Sequence, residues 1–97
     1  MIKDVTSILG YQQFTAAAST GLTVPVRDIN GLSSTPTVAI VVPEGQGVRW
    51  RDDGTAPTAT VGMPLAAGAT LVYDGDLTRI RFIQQAATAT INVVYYK

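Results

Sequence analysis

The sequence predicts an all-β fold, a small β-sandwich of jelly-roll type with an extended or irregular N-terminal segment. Three observations lead there. Short alternating or β-branched runs succeed one another at roughly eight- to twelve-residue spacing. Asp-Gly, Pro-Glu-Gly and Pro-Leu-x-x-Gly sequences punctuate them. No segment carries the 3.6-residue apolar period of a long helix. An OB-like barrel is the competing architecture.

In chain order, Asp4 is placed to N-cap a single helical turn holding Val5, Ile8 and Leu9, with Gly10 as its stop. A strand fits those residues equally well. Residues 14–20, FTAAAST, have no period and are expected to be irregular. Leu22, Val24 and Val26 alternate with Thr23, Pro25 and Arg27, and the proline demotes the run to an edge strand or arm between turns at Gly21 and Asn30-Gly31. Residues 1–36 are therefore assigned to an N-terminal arm and edge strand, and residues 37–97 to the sandwich core.

Residues 37–42 are rich in β-branched side chains and stop at Pro43-Glu44-Gly45, which predicts a buried strand. Residues 48–52 alternate, with Val48 and Trp50 inward, Arg49 and Arg51 outward, and a turn at Asp53-Gly54. Residues 55–60 are expected to be loop, with a short edge strand at residues 59–61. Residues 63–68 shape a turn through Pro64 and Gly68 into a strand at residues 70–73. Asp74-Gly75-Asp76 turns into residues 78–83, where Ile80 and Phe82 oppose Arg79 and Arg81. The last strand, residues 88–96, sets Ala89, Ile91, Val93 and Tyr95 on one face. Its other face turns apolar at Val94 and Tyr96, which predicts a cover for them.

With 97 residues and no cysteine, one domain with a thin core and no disulfide is expected. Seven basic residues balance seven acidic ones, so the broad positive field of a duplex-binding protein is missing. No direct nucleic-acid partner follows. The N-terminus lacks the apolar stretch and cleavage site of a secretory signal, and the longest aliphatic run, residues 38–42, is too short to cross a bilayer as a helix. No membrane partner and no export are expected. Charged residues make up only 14% of the chain, a low density that suits contact with other protein surfaces.

Chemistry finds little footing. There is no histidine, and lysines stand only near the two ends, so no Ser/His/Asp or Ser-Lys set assembles. Gly45-x-Gly47 lacks the lysine and the strand-to-helix setting of a phosphate loop. Asp52, Asp53, Asp74 and Asp76 are a conceivable calcium rim or glycosidase pair, but Asp before Gly is first of all turn chemistry. Arg49, Arg51, Arg79 and Arg81 form two outward i, i+2 pairs. Directly opposite one another they would repel, so they are expected to interleave with aspartate or to sit on different sheets. Arginine suits subunit contacts, and Tyr95 and Tyr96, at a chain end that frays unless docked, are read with them as partner-interface residues. Trp50 is read as core. The chain is expected to be no enzyme, with no cofactor and no metal site.

At VRWRDDG, GMPL, LAAG, YDGDL and IRFI the chain resembles small structural proteins of tailed-phage and prophage virions, in which Arg-Trp-Arg-Asp-Asp-Gly is followed by a Pro-Leu-x-x-Gly turn. The likeness runs from about Val38 to Tyr96. It implies a non-enzymatic virion component on a β-sandwich: a capsid decoration or cement protein, as a homotrimer on the major capsid protein or another virion protein. The N-terminal arm would lie along the shell. A tail or baseplate protein and a carbohydrate-binding module, using loops beside Trp50 and Tyr73, are the alternatives.

Overall fold

A computed structural model describes residues 8–97, and in it the alternation of the sequence becomes eight strands. These are β1 (Ile8–Thr15), β2 (Thr20–Gly21), β3 (Val38–Glu44), β4 (Val48–Arg51), β5 (Met63–Leu65), β6 (Leu71–Tyr73), β7 (Arg81–Gln84) and β8 (Thr90–Tyr96). They form two antiparallel four-stranded sheets, ordered β1-β8-β3-β6 and β2-β7-β4-β5. The all-β expectation is met, and no helix occurs among the described residues. Apart from β4 to β5, every link between consecutive strands crosses from one sheet to the other.

Both sheets turn one face into a single core. β8 alternates strictly, with Ile91, Val93 and Tyr95 buried and the residues between them half-buried. Opposite residues in an antiparallel pair share a face, so Val41 beside Val93 and Ala39 beside Tyr95 continue that buried surface onto β3. Val48, Leu65 and Phe82 answer from the second sheet, while Ala16, Leu77, Ile80 and Ala89 close the ends. Each fully buried large side chain is worth about 1.5–3 kcal/mol over exposure.

Several expectations need correction. The division at residue 36 does not hold, because β1 pairs with β8 from Ile8 to Thr15 and β2 pairs with β7; both belong to the sandwich. The proposed helical turn lies partly in residues 1–7, outside the described residues, and Ile8, Leu9 and Gly10 are strand. Polar residues at Gln12 and Gln13 hid this strand, yet Gln12 faces inward because its Oε1 accepts hydrogen bonds from the Tyr95 hydroxyl (2.6 Å) and the Thr23 amide (3.1 Å). The run from Leu22 to Val26 forms no strand, although Leu22 and Val24 do pack on the core.

The edge strand expected at residues 59–61 stands instead at Met63–Leu65, where Pro64, with no N–H to offer, is tolerated at a sheet edge. Finally, β7 begins at Arg81, not Thr78. Asp76 accepts bonds from the Thr78 amide (3.0 Å) and hydroxyl (2.6 Å), and its carbonyl takes the Arg79 and Ile80 amides, so residues 77–79 are turn.

Candidate functional site

Two surfaces stand out, one on each sheet. The first is the outward face of β1-β8-β3-β6. Tyr11, Val94, Ile40 and Val72 are cross-strand neighbours and form an apolar row over all four strands. Tyr96 and Val42 flank the row on the same face. Tyr11 is 59% exposed and Ile8, at the start of β1, 42%; the aliphatic side chains between them are half-buried. Of all residues in these four strands only Glu44 is charged. Beside the apolar row lies a polar one, in which Asn92 Oδ1 accepts from the Tyr11 hydroxyl (2.5 Å) and Gln13 Nε2 (2.8 Å), while its Nδ2 donates to Glu44 Oε1 (2.8 Å). That network holds Tyr11 and Gln13 on the surface, with the Glu44 carboxylate as its one charged member.

The second surface is a cleft of about 530 Å³ where the loop between β4 and β5 folds back, lined by Trp50, Arg51, Asp52, Asp53, Val61, Gly62 and Met63. Arg49 holds that loop in place: its Nε donates to the Ala59 carbonyl (3.2 Å) and its Nη1 to the Gly62 carbonyl (2.9 Å). Gly62 takes a φ of 141°, and a Cβ there would come within 3.1 Å of Arg49 Cβ and the Trp50 carbonyl, so only glycine lets the loop approach so closely. Trp50 meets Tyr73 of the opposite sheet edge-on, ring centroids 5.9 Å apart. It packs on the core but is not enclosed by it, which amends the reading of Trp50 as plain core.

The charged side chains are engaged locally. Arg51 grips Asp53 in a two-pronged pair, Nε to Oδ1 at 3.1 Å and Nη2 to Oδ2 at 2.5 Å. The guanidinium holds the Asp53 carboxyl below its ordinary range, and the carboxylate raises Arg51 in turn. Asp52 Oδ2 accepts the Tyr73 hydroxyl at 2.6 Å; burial first, then this carboxylate, push the Tyr73 phenol well above its ordinary value. The bonds from Thr78 lower Asp76. Among the described residues, no three acidic side chains converge on a point that would hold a cation.

The arginines do not interleave as expected. Arg51 and Arg81 are directly opposite in one sheet, and each is turned aside: Arg51 to Asp53, and Arg81 to the Ser19 hydroxyl and carbonyl, both at 2.9 Å. Arg79 lies in the turn before β7, 3.7 Å from Asp76. Tyr95 is buried, 1% exposed, with its phenol raised to about 12 by desolvation, so it is a core residue with no surface to give a partner. Tyr96 does lie on the outward face.

One surface was not anticipated. Residues 26–34 form a tight turn tied by Asp28, whose Oδ1 accepts the Asn30 (2.9 Å) and Leu32 (3.0 Å) amides, and it carries Val26, Ile29 and Leu32 exposed. The Asp-x-Asn-Gly sequence signalled the turn but not that its aliphatic neighbours stay outside. Protein-family models, curated protein sequences and solved structures were all compared with the chain, and none matches it.

Proposed function

We propose that the chain is a non-enzymatic structural component of a tailed-phage virion, a capsid decoration or cement subunit that lies against neighbouring virion proteins and stabilises their contacts. The observation that carries this reading is the outward face of β1-β8-β3-β6, an apolar row with a single charge in its four strands and, among the described residues, no further sheet or helix over it. A solvated sheet face ordinarily alternates apolar-in with polar-out. A surface apolar on both sides of its sheet suits a protein that works in contact with others. The exposed aliphatic side chains of Val26, Ile29 and Leu32 add further apolar surface. The likeness of the Val38 to Tyr96 region to virion proteins supplies the setting, and the strand orders are those of two interleaved Greek keys, in keeping with a jelly roll.

The test is co-sedimentation of the purified chain with tailed-phage particles that lack it. The wild-type chain is expected to sediment with them. Val94→Lys, which puts a charge in the middle of the row, is expected to weaken binding about tenfold, the ~1.4 kcal/mol scale of one important interface residue. Wild-type chain left in the supernatant removes the virion reading, and full binding by the variant removes this face from it.

A second reading, a carbohydrate-binding module, is favoured by the cleft, which sets Trp50 and Met63 beside the polar groups of Asp52 and Asp53. Glycan binding lost in Met63→Ala, with folding retained, would support it over the first.

A further inference from the structure

We infer that β1 is the strand through which two copies of this chain join, edge to edge and antiparallel, turning two four-stranded sheets into one of eight. The inference goes beyond the virion reading, uses the edge of the sheet where that reading uses its face, and can fail separately from it.

The four sheet edges differ sharply. β2 has two residues, β6 three, and β5 three with Pro64 in the middle. Short strands and proline are the devices by which proteins keep open edges from recruiting another strand. β1 has neither: it runs for eight residues, ILGYQQFT, without proline and without charge. It pairs with β8 on one side, and among the described residues no backbone group pairs with it on the other. The register shift between Ile8 and Gly10 affects only its start, leaving the stretch to Thr15 regular.

The strand also suits a copy of itself. Antiparallel pairing of identical strands places a two-fold axis normal to the sheet, so the core face of one copy continues the core face of the other. Residues of like parity are then opposite. With Gln12 opposite the partner's Gln12, Phe14 falls opposite the partner's Gly10. A side chain at Gly10 would meet nothing within 4 Å, so a ring has room beside it. On the outward face Tyr11 falls opposite the partner's Gln13, and the two apolar rows become one. No like charges meet anywhere along the joint. A two-fold joint replaces the homotrimer expected from the virion resemblance, because this edge is matched by itself and not by a second, different surface.

Sedimentation velocity on the purified chain is expected to give a dimer, twice the 10.2 kDa chain mass. The double variant Tyr11→Lys/Gln13→Lys, both at exposed positions, is expected to sediment as a monomer with an unchanged far-UV circular dichroism spectrum. Tyr11→Glu/Gln13→Glu is expected to do the same, and mixing the two variants to restore the dimer. A wild-type monomer or trimer, or a lysine variant that stays dimeric, overturns the inference.

Should the lysine variant fail to fold, the chain's lack of cysteine provides a second measurement. Directly opposite residues stand about 4.5–5.5 Å apart at Cα, within disulfide reach. Tyr11→Cys mixed with Gln13→Cys is expected to give an oxidised heterodimer on a non-reducing gel. Absence of that product, or a homodimer of Tyr11→Cys in its place, overturns the stated pairing. A monomer that still sediments with particles sinks this inference and leaves the virion reading standing; a dimer that binds no particle does the reverse.

Discussion

The two sheets share one core but are built on opposite terms. β1-β8-β3-β6 holds the long strands, of seven and eight residues, with Glu44 as its only charge. β2-β7-β4-β5 holds strands of two to four residues and three arginines, Arg49, Arg51 and Arg81. The long sheet is held by continuous ladder bonding and side-chain burial. In the short sheet, side chains supply what brief strands cannot: Arg49 fastens a loop, Arg51 fastens Asp53, and Arg81 fastens Ser19. Charge in the short sheet serves as fastening, and the outward face of the long sheet is left nearly uncharged.

The sharpest way to break this contrast is in the long sheet. Ile91→Ala empties a site with no exposure near the start of β8 and is expected to cost ~2–5 kcal/mol, read from the denaturation midpoint. A loss below ~1 kcal/mol would mean that the long sheet is not the stabilising one.

Next comes alkaline stability. The Tyr95 phenol is raised from 10.0 to about 12 by burial, so its protonated form is favoured by folding. That contribution is complete below pH ~10 and is lost as pH rises toward about 12. Melting temperature measured from pH 9 to 12 is expected to fall across this window, and Tyr95→Phe to flatten the fall; an unchanged profile in the variant would assign the alkaline step to other groups. The smallest effect is expected in the short sheet. Arg49→Ala removes two bonds at a part-exposed site and should cost on the order of 1 kcal/mol. Its clearer sign would be faster proteolysis within residues 52–62, and equal proteolysis of variant and wild type would show the loop to be held by something else.

Where burial enforces period two, the sequence was readable: β3, β4, β6 and β8 fall within two residues of their expected places, and the inward set of β8 was legible residue by residue. Legibility failed where polar side chains do structural work. Gln12 looks like a surface residue until the Tyr95 hydroxyl it receives is known, and so the pattern alone places β1 in an arm. The Asp76 turn shortened β7 through side-chain bonds that no apolar pattern records. Tyr95 and Tyr96 look alike at a chain end, yet strand parity sends one to the core and the other outward. Of the four arginines read as an outward ladder, the structure ties each to a near neighbour.

Trp50 has a practical meaning beyond packing. It belongs to β4 of the short sheet, touches Tyr73 of the long one, and lines the cleft. As the chain's single tryptophan, it makes intrinsic fluorescence a one-site gauge. Parting of the sheets would separate the ring from Tyr73 and wet it, whereas a molecule entering the cleft would cover it. The two events should shift its emission in opposite directions, so one spectrum can tell unfolding from occupancy without a label.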